Sequence, residues 1–353
     1  MSVQIVFKDS DEKTFWKHWE YCLLHRRAGP RYLKENIESS IILSSGNSLL
    51  YRDKSFIYIV NNEPKACVFL PLEKIENNIT VSSNKDYVFS PIVCDQSVEE
   101  KLFSIIDNIA KEENVAKIMF SVDPLESNVY TYNYLVKYNY LDTSLINYII
   151  NLESSCSADD LLKNCHRRIR REIKKILEDK EFSTFIVDKD NPSYDLHEEY
   201  RALHHKCAGR ITRSKETFDL QFEKLKNGHA ALIGLNYNGK NIAYYYFDYS
   251  FDKALGFSSA DDPDYDTLPL YHILLFRQME YLKKAGVRHI NLGQPSSPSM
   301  QMNYYPDKKE LNIAFFKTGF PGEFVQSFHG IKYFSRDMLK RDIDIFLQCY
   351  IIT

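Results

Sequence analysis

Asn238-Gly239 stands between two strand-forming apolar runs, residues 230–237 and 241–248. The central residues of a tight hairpin turn need positive φ, which Asn and Gly adopt at little cost. This dipeptide therefore pins an antiparallel strand pair in the second half of the chain. An apolar run over 254–259 follows, then a helical pattern over about 268–285 that stops at Gly286, then a strand pattern over 287–293. The first half has the same order. Runs 56–60 and 65–70 flank a turn at 61–64, and a strand pattern covers 87–90. An amphipathic helix over 97–112 carries Leu102, Ile105, Ile106 and Ile109 on one stripe and leads to a strand over 117–122. A helix over 13–26 precedes these elements, and a strand over 145–152 ends the half.

Hairpin, strand, helix and strand thus recur without a matching residue period, which implies a structural duplication. The expected fold class is α+β, an α/β sandwich of two domains, each with a mixed, largely antiparallel sheet flanked by helices. The expected boundaries are 1–155 for the first domain, 156–180 for a basic linker helix and 181–353 for the second domain. With 353 residues and 44% hydrophobic content, the chain can fill two ordinary cores.

The net charge of −3 supplies no global field for a polyanion, so any such partner must be met by a local patch. No apolar run approaches the roughly 18 residues that span a bilayer, and the first residues lack the pattern of a secretory signal. Cys22, Cys67, Cys94, Cys156, Cys165, Cys207 and Cys349 are scattered, odd in number and without a CxxC pair. That argues against a disulfide framework or thiolate zinc site and fits a cytoplasmic location. His204 and His205 are adjacent rather than one helical turn apart, and no carboxylate cluster has ligand spacing, so no metal is expected. Neither a Gly-x-Gly-x-x-Gly loop nor a P-loop occurs.

Between the halves, residues 157–160 have capping-box form, and Ile169, Ile173, Ile176 and Leu177 make one apolar stripe. The opposite face holds Arg167, Arg168, Arg170, Arg171, Lys174 and Lys175, opposed by Glu172. Two readings fit this face: a solvated surface, or a cradle in which arginine forks meet phosphate or carboxylate. Further on stand His204-His205 and Gly209-Arg210-Ile211-Thr212-Arg213, and near the end Phe316-Lys317-Thr318-Gly319-Phe320.

An arginine-rich helix after a first α+β half, then a histidine with Gly-Arg-x-Thr-Arg, then Phe-Lys-x-Gly-Phe, resembles the Fem-type peptidyltransferases and their acetyltransferase relatives, tandem proteins of the GNAT superfamily. The resemblance covers nearly the whole length and is clearest in the second half. It implies two GNAT-like domains and an acyl-transfer enzyme with its active site in the second. The donor so implied is acetyl-CoA or another acyl-CoA, and the acceptor an amino group of a sugar or cell-envelope precursor. Aminoacyl-tRNA is the alternative donor, and a non-catalytic module for an anionic glycan or nucleic acid is the alternative of another class. The long coiled-coil hairpin of some tRNA-dependent Fem enzymes has no room in residues 178–191.

The resemblance also directs attention to particular side chains. His205 and its neighbour His204 are candidate bases, because imidazole titrates near neutrality and Arg210 and Arg213 disfavour its cation; capping of helix-end carbonyls is the other reading. Asp261 and Asp262 are the alternative bases. Ser258 and Ser259 are placed to polarise an acyl carbonyl, in a loop that lacks the glycines of a usual CoA site and carries Asp261, Asp262, Asp264 and Asp266. Tyr271 counts with His205 and Asp261 as catalytic. Arg167, Arg168, Arg171, Thr212, His272 and Gln294 count with Arg210, Arg213, His204 and the two serines as binding residues. Lys317, read as a lysine within an apolar strand, is assigned to the same task, because such a charge is costly unless it meets an anion. Tyr304 and Tyr305 are further candidate proton donors.

Overall fold

The Asn238-Gly239 turn closes strands Ala230–Tyr237 and Lys240–Ser250, with φ of 50° at Asn238 and 82° at Gly239. A computed structural model of the chain describes residues 2–46, 50–83, 87–126, 131–155 and 157–349, so Met1 and Cys156 lie outside the described residues. The backbone divides into two units. One comprises Met1–Ile146, Ser297–Asp307 and Gln326–Thr353; the other comprises Asn147–Ser296 and Lys308–Val325. The C-terminal segment 326–353, assigned from sequence to the second half, thus packs with the first unit.

The first unit begins with β1 (Val3–Phe7), α1 (Glu12–Arg26), α2 (Lys34–Gly46), β2 (Leu50–Asp53), β3 (Phe56–Val60), β4 (Glu63–Val68), β5 (Pro71–Lys74) and β6 (Thr80–Ser82). It continues with β7 (Val88–Phe89), β8 (Ile92–Val93), α3 (Glu99–Glu112), β9 (Val115–Ser121) and β10 (Leu141–Asp142). The hairpin expected at 61–64 is the β3–β4 pair, turned at Asn61 and Asn62 with φ of 49° and 64°. Helix α3 buries Leu102, Ile106 and Ile109, as its stripe requires.

The second unit contains β11 (Leu145–Asn151), α4 (Ala158–Asn164), α5 (Arg167–Glu178), β12 (Phe182–Val187), α6 (Tyr194–Ala208), α7 (Lys215–Lys226) and β13 (Ala230–Tyr237). It goes on with β14 (Lys240–Ser250), β15 (Lys253–Asp261), α8 (Leu270–Lys284), β16 (His289–Asn291), α9 (Lys308–Lys317) and β17 (Gly322–Ser327). The chain then returns to the first unit as β18 (His329–Tyr333) and α10 (Arg336–Gln348). There β18 joins a sheet of order β10-β18-β9-β6-β5-β2, with β7 beside β9, while β1-β3-β4-β8 form a separate sheet.

The seven strands of the second sheet run β12-β13-β14-β15-β16-β11-β17. Strand β11, read from sequence as the end of the first half, pairs with β16 here. The β15–β16 pair is parallel and is bridged by α8, a βαβ crossover. Both faces are covered. Along β13, Ala231, Ile233 and Leu235 pack with α4, α5 and α8, while Ala230 and Leu232 pack with α6 and α7. This double burial explains why the segment reads as a continuous apolar run rather than an alternation.

Two sequence expectations change. The basic segment is two helices, broken at Cys165 and His166, and Leu177 is exposed while Ile169, Ile173 and Ile176 are buried. Residues 308–317 form helix α9, so Lys317 is not a strand residue. A close approach fixes the end of this helix: a Cβ on Gly319 would come within 2.5 Å of Ile169 Cγ1, so only glycine lets α5 pack there.

In the α7 layer, Lys224 Nζ donates to Asp248 Oδ2 at 2.7 Å, with both side chains almost fully buried. Removing the ammonium strands a carboxylate in the core. Lys224→Ala is therefore expected to lower stability by about 3 kcal/mol, whereas Lys226→Ala, on the exposed side of α7, changes it by less than about 0.5 kcal/mol. Urea unfolding of the two variants checks this, and equal midpoints would show that the buried pair carries no special weight.

Candidate active site

Strands β15 and β16 share a parallel ladder only from Lys253 to Leu255, opposite His289 to Asn291. Beyond Leu255, β15 continues to Asp261 while the chain after β16 turns away at Gly293, whose φ is 66°. The parting coincides with a bulge. Phe247 faces Gly256 and Tyr246 faces Ser258, so Phe257 is the extra residue. Phe257 and Ser258 then both lie beside Arg213: its guanidinium is 5.9 Å from the Phe257 ring centre and donates to Ser258 Oγ at 3.1 Å. Two consecutive residues on one face, with a bend in the strand, are what such a bulge produces.

A pocket of about 680 Å³ occupies the parting. Gly256, Phe257, Ser258, Ser259 and Asp261 of β15 form one wall, and Leu292 and Gln294 face them from beyond β16. Tyr271 and Leu275 project from α8, and Lys309, Ile313, Phe316 and Lys317 from α9. These spacings place each set on one helix face. A smaller cleft of about 290 Å³, lined by Leu268, His272 and Asn312, shares Tyr271, Lys309, Ile313 and Phe316 with the pocket.

The polar groups at its centre are coupled. Tyr271 Oη donates to Asp261 Oδ1 at 2.5 Å, and Cys207 Sγ lies 3.3 Å from the same oxygen. Burial, reinforced by the Asp261 carboxylate, pushes the Tyr271 phenol well above its ordinary range, so it stays protonated. Burial raises the Cys207 thiol as well. Asp262, weighed with Asp261 as a base, is held in two ion pairs: Lys206 Nζ at 2.5 Å and Lys240 Nζ at 2.8 Å. Burial would raise its pKa, but the two lysine hydrogen bonds outweigh that and keep it ionised. Lys206 also reaches Asp264 at 3.2 Å.

Lys317 is pushed down to about 7 by burial. Its Nζ donates to the carbonyls of Gly293 and Pro295, both at 2.8 Å, so it fastens the loop that carries Gln294. The Gln294 side chain is itself held by Asn147 Oδ1 and by the Ser296 backbone N–H at 2.7 Å.

The structure brings Ser258, Ser259, Asp261, Tyr271, Gln294 and Lys317 together at the pocket. His204, Thr212 and Arg213 form an adjoining cluster behind Ser258. Thr212 Oγ1 is 3.1 Å from His204 Nδ1, and the Arg213 guanidinium is 3.4 Å from His204 Nε2. His205 is not among the pocket residues. Its ring packs edge-on against Phe218, 5.6 Å between centres, and its buried Nε2 has no hydrogen bond among the described residues. His272 lines the smaller cleft, edge-on to Phe316. Arg210 is exposed, and Arg167, Arg168 and Arg171 lie on the exposed face of α5, off the pocket wall. Tyr304 and Tyr305 belong to the first unit. Sequence reasoning missed Cys207, Tyr245, Phe257, Lys309 and Ile313; the i, i+4, i+7 and i+8 spacing of 309, 313, 316 and 317 was the signal available for α9. Among the described residues no cluster is able to hold a metal ion, and no helix is long and apolar enough to cross a membrane.

Residues 163–304 match the family model described as an acetyltransferase (GNAT) domain. Among solved structures the chain is similar to FemX, at 12% identity and a TM-score of 0.60 over 93% of this chain and 97% of that one. It is similar also to the C-terminal domain of a putative lysylphosphatidylglycerol synthetase from Agrobacterium fabrum, at 12% identity and a TM-score of 0.57 over 88% and 97%. L-PGS from Bacillus licheniformis matches at 11% identity and a TM-score of 0.55 over 89% and 96%. At these identities the likeness is one of fold. A comparison with curated proteins finds none that matches. Residues 163–304 thus carry a GNAT acetyltransferase domain, which makes the protein an acyltransferase, and the chain as a whole has the tandem fold of FemX.

Helix α6, beside this site, carries three histidines whose folded-state pKa is depressed, His205 among them through burial. Burial lowers His197 to about 4, and burial with the Arg213 charge lowers His204 to about 4. The unfolded chain, with histidine near 6.5, binds more protons between these values, so stability falls as pH drops from about 6.5 to 4. Among the described residues His197 has no hydrogen bond at either ring nitrogen, and it sits among Tyr200, Phe218, Phe222 and Tyr246. His197→Phe is therefore expected to flatten the decline of melting temperature across that window while leaving the neutral-pH value near that of the parent. A decline as steep as the parent's would mean that His197 does not titrate as its burial demands.

Proposed function

We propose that the pocket between β15 and β16 is the acyl-transfer site, and that the protein moves an acyl group, acetyl from acetyl-CoA, onto an amino group of a sugar or cell-envelope precursor. The observation that carries this reading is the edge of β15 beyond Leu255, which among the described residues has no strand beside it where it borders the pocket. Backbone N–H groups on that edge, at and after the Phe257 bulge, are fixed donors for the oxygen that becomes negative as an amine attacks a thioester carbonyl.

The acceptor nitrogen bonds the carbonyl carbon, and the C–S bond then breaks. An ammonium acceptor gives up two protons in the process. Asp261 takes one and passes it to solvent, and the second leaves with the thiol. Tyr271 is a positioning residue here: its retained proton occupies Asp261 Oδ1 and directs Oδ2 to the acceptor. Arg213 holds the Ser258 side of the bulge in place, and Lys317 holds the Gln294 wall.

A second reading, aminoacyl-tRNA as donor, is favoured by one specific observation. The loop before α8 has no glycine, and Asp266 lines the pocket, so that loop offers a pyrophosphate no cradle. In that case the bond broken is the C–O bond of an ester. The chain also shares its fold with a putative lysylphosphatidylglycerol synthetase, whose name describes a product carrying an aminoacyl group.

Melting temperature with acetyl-CoA and with CoA separates the two. A ligand at 100 times its dissociation constant stabilises by about 2.7 kcal/mol, so a clear rise is expected. No rise, with charged-tRNA binding that weakens steeply with salt, would transfer the function to the second reading. With the donor established, Asp261→Asn is expected to lower kcat about 100-fold, and Tyr271→Phe, which removes only the hydrogen bond to Asp261 Oδ1, to lower it less. Unchanged kcat in Asp261→Asn would remove Asp261 from the chemistry.

A further inference from the structure

Helix α9 has two apolar stripes on opposite sides. Ile313 and Phe316 face the pocket with Lys309 and Lys317, whereas Leu311 and Phe315 fall roughly half a turn of the helical wheel away. That second stripe is open to solvent: Phe315 is 77% exposed and Leu311 39%. Phe324, on edge strand β17 a few residues later, is 51% exposed and rests edge-on against Tyr148. A globular helix normally hides its apolar residues on one side, so outward Leu and Phe on the far side need a use.

The basic face of α5 adjoins this stripe. The His166 N–H donates to Gly319 O at 2.8 Å, and Ile169 packs against Gly319, so α5 starts about one helical turn from Phe315. Arg167 and Arg168, on that first turn, are exposed and have no ion pair among the described residues. Lys174 and Lys175 follow on the same helix, while Glu172 is engaged by Arg171 and Lys175. Carboxylates on these and the adjoining elements are Asp159 and Asp160 on α4, Glu178 and Asp179 at the far end of α5, Glu310, Glu323, and Glu280 on α8, which is paired with Arg277. The arginines are strung along an exposed helix rather than converged on a phosphate-sized hollow.

From this juxtaposition we propose that the α5–α9 face docks the protein onto an anionic phospholipid surface. Phe315, Leu311 and Phe324 enter the headgroup boundary, and the α5 arginines lie against the lipid phosphates. Exposed aliphatic and phenyl side chains beside unpaired guanidinium groups are the pairing such an interface selects. An RNA backbone would use the arginines but gives Leu311 no partner. The inference does not depend on which acyl donor the pocket takes, and it confers access to acceptors held at a membrane.

The test is flotation of the full chain with phosphatidylcholine vesicles and with mixed phosphatidylcholine and phosphatidylglycerol vesicles. Binding is expected to the mixed vesicles alone and to weaken with salt. Arg167→Ser with Arg168→Ser is expected to reduce the partition coefficient about 25-fold, and Phe315→Ser about tenfold, with the parent's melting temperature retained in both. Lys226→Ser, on α7 in the layer that covers the opposite face of the sheet, serves as the control for simple loss of charge. The proposal is overturned by absence of binding to the mixed vesicles, by binding indifferent to Phe315, or by an equal loss in the Lys226 control. Salt-sensitive binding of tRNA that depends on the same arginines, without vesicle binding, would assign the face to RNA instead.

Discussion

Three residues of shared ladder between β15 and β16 are the constraint on which the second unit depends. They are enough to hold two parallel strands in one sheet with α8 crossing behind them, and few enough to let the strands part where β15 bulges at Phe257. A bulge at an unsupported position would unravel, because its extra residue leaves the ladder short of partners. Here β15 keeps its antiparallel partner β14 along nearly its whole length, from Lys253 to Asp261. The strand is thus rigid on one edge and open on the other. An enzyme that must hold fixed donors against a reacting carbonyl needs this combination, since donors that reorganise during reaction stabilise little.

Charge at the site is distributed so that few groups remain available. Of the four aspartates after Ser259, Asp262 answers two lysines, Asp264 answers one of them, and Asp261 is tied through one oxygen to Tyr271. The lysine most buried at the pocket, Lys317, spends its donors on backbone carbonyls. The pocket is therefore less acidic in effect than its sequence suggests, and less basic too. What remains to meet a substrate is one Asp261 oxygen, Asp266, Lys309, an open strand edge and the aromatic and aliphatic side chains of Tyr245, Phe257, Phe316, Leu275 and Ile313. If this pocket is the acyl-transfer site proposed above, these walls suit a group that is largely apolar near the reacting carbonyl.

Much of this architecture is legible in the sequence because it rests on local signals. Asn238-Gly239 and Asn61-Asn62 specify their turns by backbone conformation, and α3 and α8 show their periodicity. Ser258, Ser259 and Asp261 of β15 can be grouped with Tyr271 on the following helix from sequence alone, because a strand-to-helix junction must bring them together. What the sequence concealed is non-local. Nothing near residue 145 reveals that β11 will pair with β16, more than a hundred residues on. Lys317 reads as a charge in search of an anion, yet its partners are carbonyls at 293 and 295 that no motif announces. His205 draws attention through its neighbours in the chain, while its ring turns toward Phe218.

Helix α9 shows how one short element serves two ends. Its inner residues close the pocket, and its outer residues remain apolar although nothing among the described residues buries them. The inner face alone would be satisfied by polar residues at 311 and 315, which would lower the cost of exposing that side to water. Gly319 then fastens the helix to α5, so the arginines cannot move independently of the pocket wall. A surface that engages α5 also engages the wall that carries Ile313, Phe316 and Lys317. Ile169, Ile173 and Ile176 of α5 share one core cluster with Phe316 and Phe320, so the basic helix and the end of the pocket wall rest on the same packing.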